Sequence, residues 1–310
     1  MSADPTAAAM RIGVFAGDVT GPTALDDLVQ GAVDAEADGF AGYWLPWISG
    51  HDPLVALALA GARTDRIELG TAVVRTYTRH PADLAGAAVS VGVATGGRFT
   101  LGVGPSHKPV IERTFGYRFD RPVRNTEEYL EVLEGLLGGS TVHLNGDQWT
   151  AHTRLAHPDP VPVPVVVAAL GPRMLELAGR RAAGTFTWMT GSATLAALTV
   201  PTITAAAAAA GRPAPRVIVG VPVLVTNDVT AGRARAAKTF AVYGRMPSYR
   251  AMLDREGWER PEDAAIIGDE ATVRAALDRI AAAGATDLVA VEFDHDPEAR
   301  RRTRATLTAR

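Results

Sequence analysis

Two histidines stand where proton transfer could occur. His51 and His107 each follow an apolar run that reads as a strand, and imidazole gains or loses a proton near neutral pH. A loop histidine without a chemical role fits either position equally well. Around them the strand ends are built from small residues: Thr71-Ala72-Val73, Gly102-Val103-Gly104, Ala168-Ala169-Leu170-Gly171-Pro172 and Met189-Thr190-Gly191. Such residues let a planar ring or a phosphate come close to the backbone. Gly171 followed by Pro172 predicts a helix start with free N–H groups, a natural anion site. A tight strand-to-helix turn without a ligand uses the same residues and, taken alone, is the simpler reading.

Other chemistries lack their residues. The 310-residue chain has no cysteine, which removes thiolate nucleophiles, disulfides and cysteine-ligated metals and fits a reducing cytoplasm. Its seven histidines show neither His-x-His nor His-Glu-x-x-His spacing, so no metal site is expected. His152 and His157 read as surface residues, and His80-Pro81 as a helix start. No Gly-x-Ser-x-Gly elbow occurs, which leaves serine hydrolysis without support. Gly102-Val103-Gly104 and the run Arg11 to Gly17 each lack a glycine of the dinucleotide fingerprint. A net charge of -3 offers no field for nucleic acid or an anionic membrane, so an anionic cofactor would need local donors. No apolar stretch is expected to approach the roughly 20 residues of a membrane helix. Residues 1–9 lack the basic and apolar regions of a signal peptide and read as a flexible tail, with 10–310 as one domain.

Placing these strand ends together requires a repeated frame. Helix, glycine, then strand recurs at Ala35 to Gly39 before Gly42-Tyr43-Trp44-Leu45, at Arg180 to Gly184 before Thr185 to Met189, and at Ala281 to Gly284 before Asp287 to Val291. Glycine takes positive φ at a helix end, and short helix–strand spacing marks a parallel sheet. Helical faces are expected from Leu25, Leu28, Val29 and Ala32 with Thr23 as cap. Two more come from Tyr129, Val132, Leu133 and Leu136 after Asn125 with Glu128 as a capping pair, and from Val273, Ala276, Leu277 and Ile280 capped by Asp269. Eight strand candidates, near 11–15, 42–45, 67–74, 99–103, 164–169, 185–189, 216–225 and 287–293, read as continuous apolar runs. Hydrophobic residues make up 47%, enough for a large core. Together these predict an α/β fold, a closed (β/α)8 TIM barrel rather than an open sheet. Three connections exceed a plain helix: 104–125 after strand four, 138–163 with a hairpin turning at Asn145-Gly146, and 227–262 after strand seven with helical stretches around Arg245-Met246-Pro247. Thr202 to Ala210 reads as an alanine-rich surface helix ended by Gly211.

The order and spacing of several fragments carry a resemblance. They are His51-Asp52-Pro53-Leu54, the run Ala62 to Val73, His80-Pro81, and Gly97 to Gly104. From about Met10 to about Phe293 the chain resembles the luciferase-like monooxygenase superfamily, and within it the branch that uses the deazaflavin coenzyme F420. The resemblance implies an oxidoreductase that moves a hydride between cofactor C5 and an unidentified organic substrate. It implies Thr71, Ala72 and Val73 against the ring, with a cis peptide bond between Ala72 and Val73. It also implies Gly102 and Gly104 beside the cofactor, backbone N–H groups from Ala168, Ala169, Leu170 and Gly171 at its phosphate with Pro172 starting the helix beside it, and Met189, Thr190 and Gly191 next to that phosphate. Trp47 is expected either to wall the ring or substrate or to pack at the rim. Dehydrogenase relatives carry Asp-His after strand two, where this chain reads Leu45-Pro46-Trp47-Ile48. They carry Glu after the strand-four glycines, where His107 stands. These departures argue against sugar-phosphate dehydrogenation and make His107 the expected proton donor, with His51 also facing the ring. The alternatives are a reduced-FMN monooxygenase served by a partner reductase, and a non-catalytic flavin-binding barrel. A homodimer is a further implication of the resemblance.

Overall fold

The computed structural model describes residues 9–17, 21–157 and 161–309, so the expected tail, apart from Ala9, lies outside the described residues. Strand and helix alternate: β1 (Arg11–Phe15), α1 (Leu25–Ala37), β2 (Gly42–Leu45), α2 (Pro53–Gly61), β3 (Glu68–Thr71), β4 (Val74–Arg75), α3 (Pro81–Ala94) and β5 (Phe99–Gly104). After α4 (Pro122–Leu137) the hairpin β6 (Val142–Asn145) and β7 (Thr150–Thr153) precedes β8 (Val165–Ala168), α5 (Pro172–Arg181) and β9 (Gly184–Trp188). A helical run follows, α6 (Ser192–Thr194) and α7 (Val200–Ala209) joined by a π-helical stretch, Leu195–Thr199. The remainder is β10 (Arg216–Val225), α8 (Val229–Phe240), α9 (Pro247–Glu256), β11 (Ile266–Gly268), α10 (Glu270–Ala282), β12 (Asp287–Glu292) and α11 (Pro297–Thr308). Eight parallel staves, β1, β2, β3, β5, β8, β9, β10 and β12, pair in that order, and β12 closes on β1. The expected TIM barrel is the fold.

One face of each strand packs on the helix ring and the other fills the barrel. Val14, Leu69, Leu101, Val167, Val219 and Leu288 join the helix faces in one continuous core. Trp44, Val166, Phe186, Ile218 and Val289 meet inside. Trp44 of β2 reaches Phe186 of β9 across the barrel, with ring centroids 5.5 Å apart. Glycines make room for it: a Cβ at Gly70 would lie 2.3 Å from the indole, and one at Gly42 2.8 Å.

The expected helix faces hold, with Tyr129, Val132, Leu133 and Leu136 fully buried. Asp269 caps α10 by accepting from Thr272 N. Gly39 and Gly284 take positive φ as expected, whereas Gly184 does not. It is a strand residue, and its missing Cβ admits the Arg216 carbonyl of β10, 2.2 Å from where that atom would stand. Other boundaries differ. The N-cap of α1 is Ala24, not Thr23. Helix α4 starts at Pro122, so Asn125 and Glu128 lie inside it and are buried rather than capping. The third stave is not one strand over 67–74 but two, and a short strand, β11, adds to β10 outside the barrel path. The run Ser192–Ala209 spans 18 residues with mean hydropathy 1.4, long and apolar enough by composition to cross a membrane, contrary to the expectation for any stretch. Here it packs on α5, where a Cβ at Gly179 would lie 2.4 Å from the Ile203 carbonyl oxygen.

Candidate functional site

The break in the third stave shapes the barrel mouth. Gly70 pairs with Thr100, but Val74 pairs with Val103, so the 70–74 segment holds one residue more than its partner. That extra residue is a bulge. The Thr71 hydroxyl bridges the gap, donating to Gly102 O and accepting from Gly102 N, each at 2.8 Å. The bulge fits because residue 102 is glycine: a Cβ there would lie 2.0 Å from the Thr71 carbonyl oxygen. A Cβ at Gly104 would likewise lie 2.9 Å from Ala168 Cβ and 3.0 Å from Val73 Cγ2. Both β5 glycines therefore admit the chain itself, and fully buried Thr71 anchors the bulge. The Ala72–Val73 peptide bond is cis. Ala72 and Val73 are half-buried and rest on the interior Trp44–Phe186 cluster. Val73, Gly104 and Ala168 thus line one side of an apolar floor.

Two helix starts flank this floor, and they differ. At α5 the N-cap Gly171 has φ −90°, no capping side chain, and nothing within 4 Å of the position a Cβ would occupy. Gly171 and Pro172 are exposed, Leu170 is half-buried and Ala169 is buried. This start is open, with donors unclaimed by any side chain. At α6, Glu256 Oε1 accepts from Thr194 N at 2.5 Å. A Cβ at Gly191 would lie 2.4 Å from Glu256 Oε2 and 2.6 Å from the Trp258 ring. Met189 and Thr190 are buried, and Met189 takes a positive φ of 54°. The second start already holds a carboxylate of this chain, an unfavourable neighbour for a second anion.

His107 lies at the rim after β5, half-buried, with its ring centroid 5.1 Å from that of Tyr249 on α9. Burial lowers its pKa below the ordinary histidine value. His51 is exposed just ahead of the α2 cap Asp52, so the structure does not bring the two histidines into a common buried setting. Trp47 is half-buried at the rim. His80 caps α3 through Nδ1 as a helix-starting residue. A cleft of about 570 Å³ opens elsewhere, lined by Tyr77, Arg79, His80, Arg121, Asp147 and Trp149, with none of the small strand-end residues on its wall.

One residue escaped the sequence reading. Arg75, in β4 directly opposite Gly104, is buried at 8% exposure, with its guanidinium 4.7 Å from the Trp47 ring centroid and 4.9 Å from that of Phe115. Its Nη1 donates to the carbonyl oxygens of Trp47 and Ile48. The only signal in the sequence is a charge set one residue after the buried Val74 of a strand.

Comparisons with known proteins agree with this fold. The family described as luciferase-like monooxygenase matches residues 10–287. An uncharacterised protein of Mycobacterium tuberculosis is 31% identical over 252 residues, 76% of this chain and 74% of its own. A putative coenzyme F420-dependent oxidoreductase of the same organism is 32% identical over 166 residues, 49% of this chain and 47% of its own. Among solved structures, the coenzyme F420-dependent tetrahydromethanopterin reductase of Methanopyrus kandleri superposes with a TM-score of 0.77 at 22% identity, covering 97% of each chain.

Proposed function

The chain belongs to the luciferase-like monooxygenase family, and from that premise we propose that it is an F420-dependent oxidoreductase acting on an organic substrate at the barrel mouth. The relative named as F420-dependent supports the cofactor. The observation that carries the reading is the open start of α5, where a glycine stands that neither φ nor packing demands. Backbone N–H groups at a helix start favour an anion, and a bare Gly171 lets a phosphate reach them. Ala72, Val73 and Ala168 offer an apolar surface to a flat ring. When bound, the deazaflavin supplies or takes up the hydride. The protein orients the reactants, and the barrel floor keeps water from beneath them. His107 Nδ1 or Nε2 holds or releases the accompanying proton.

Titration with F420 and with FMN, followed by absorbance and fluorescence, tests this. F420 should bind to the wild type, and Gly171→Val should weaken it by tenfold or more, on the order of one lost charge-assisted contact. Tight binding of FMN with none of F420 would replace the reading with that of a flavin monooxygenase. Unchanged F420 affinity in the Gly171→Val protein would move the phosphate away from α5.

A further inference from the structure

Half-buried arginines elsewhere in this protein are held by acids or by several backbone carbonyls: Arg98 donates to Thr64 Oγ1 and to the carbonyl oxygens of Gly61, Thr64 and Ile67. Arg216 bonds to Glu68 and Asp287, and Arg304 to Glu292 and Asp38. Arg75 is more buried than a surface cation should be, yet among the described residues no carboxylate pairs with it. Two backbone carbonyls take its Nη1, while its Nε is buried without a partner. Removing a cation from water without an opposing charge is costly, and in natural structures such groups are paired or bind something. Trp47 and Phe115 lie over the guanidinium, as in cation–π contacts, and Nη1 already serves two carbonyls, which leaves the Nε–Nη2 edge as the side without a partner. An arginine edge matches a carboxylate, with two parallel N–H donors for two oxygens. The position fits a reactant site: Arg75 pairs with Gly104, three residues before His107, and follows the half-buried Val73.

We infer that Arg75 is a specificity-determining residue that receives the carboxylate of an anionic substrate at the barrel mouth. This deepens the proposed function and rests on it for the identity of the mouth as the reaction site. The phosphate of the cofactor is assigned to α5, beyond β8, so Arg75 is left to the other reactant.

The test uses benzoate and its neutral counterpart benzamide as probes, with binding measured calorimetrically on the protein with and without F420. The wild type should prefer benzoate by about tenfold to a hundredfold, the range of one charge-assisted pair. Arg75→Gln should abolish that preference while benzamide binding and F420 affinity stay unchanged. Arg75→Lys, which keeps the charge but lacks the planar fork, should weaken benzoate several-fold and serves as the deciding variant if Arg75→Gln does not fold. Equal binding of the two probes to the wild type overturns the inference, as does a benzoate preference that survives Arg75→Gln. Loss of F420 affinity in Arg75→Gln with benzoate unaffected would assign the missing anion to the cofactor instead. Should F420 fail to bind the wild type, the cofactor reading falls, while the benzoate preference without cofactor still decides the role of Arg75.

Discussion

His107 sits half-buried under the Tyr249 ring, and burial disfavours its charged form. With a folded-state pKa below the ordinary 6.5, the neutral ring predominates at pH 7 and accepts a proton more readily than it gives one. The sequence reading made it a donor; its surroundings favour an acceptor in the direction that oxidises substrate. The expected pH profile follows from the sign. Single-turnover hydride transfer to F420 should climb along a limb centred below pH 6.5 and be level from pH 7 to 8. His107→Gln should erase that limb and slow the step by about 10²–10⁴-fold, the usual size of one general base, with F420 affinity nearly kept. Rapid-mixing measurements from pH 5 to 8 decide it; a limb that persists in the variant takes the proton away from His107.

Helices and strands were legible where burial repeats with a period, and less so where one side chain does a tertiary job. The face Tyr129, Val132, Leu133, Leu136 could be read because every fourth or third residue meets the core. Glu128 could not. Its spacing from Asn125 suggested a cap, but α4 begins a turn earlier, and its buried carboxylate accepts from the backbone N–H groups of Asp147, Gln148 and Trp149. The hairpin turn was visible as Asn-Gly, while the residue that holds it lies about twenty positions away. The close approach explains Gly146, whose Cβ would lie 2.2 Å from Glu128 Oε2. Burial alone would raise the Glu128 pKa, but these backbone donors and Arg124 outweigh it and hold the carboxyl below its ordinary value. Glu128→Gln should cost about 2–4 kcal/mol, because an amide turns N–H toward N–H and leaves buried donors unpaired. Urea unfolding measures this, and a loss below about 0.5 kcal/mol, the level of an ordinary surface change, would deny the hairpin its anchor. The strand ends repeat the lesson. Gly102, Gly104, Gly171 and Gly191 look alike in sequence, yet the first two admit the bulge, the last admits Glu256, and only Gly171 is left facing open space. Which glycine serves a ligand depends on what the rest of the chain puts beside it.

Across the whole molecule the two ends of the barrel divide the work. The C-terminal end carries small residues, an open helix start and an unpaired arginine, while the N-terminal end is closed by charge. Arg216 bridges Glu68 and Asp287, and Arg11 reaches both acids, so four residues from the starts of β10, β3, β12 and β1 form one network. Thr100 of β5 adds a hydrogen bond to Glu68 at 2.5 Å. In barrels of this type the lower face serves stability, and here its contribution should depend on pH. Burial would raise the Glu68 pKa, but hydrogen bonding and charge from Arg216, with Arg11 and Thr100, more than offset it and leave it lowered. A carboxylate with a folded pKa below its unfolded value of 4.5 stabilises the fold above that pH. The contribution is lost as pH falls through the folded value, when the acid must take up a proton. Glu68→Gln should therefore destabilise the protein at pH 7 by about 3 kcal/mol, the scale of removing one partner from a buried ion pair. The gap between variant and wild type should then narrow as pH drops from 5 toward 3, because the wild type loses what the variant already lacks. Unfolding curves at pH 7, 5, 4 and 3 read both quantities, and a gap that stays constant over that range would mean that Glu68 holds the barrel by packing rather than by its charge.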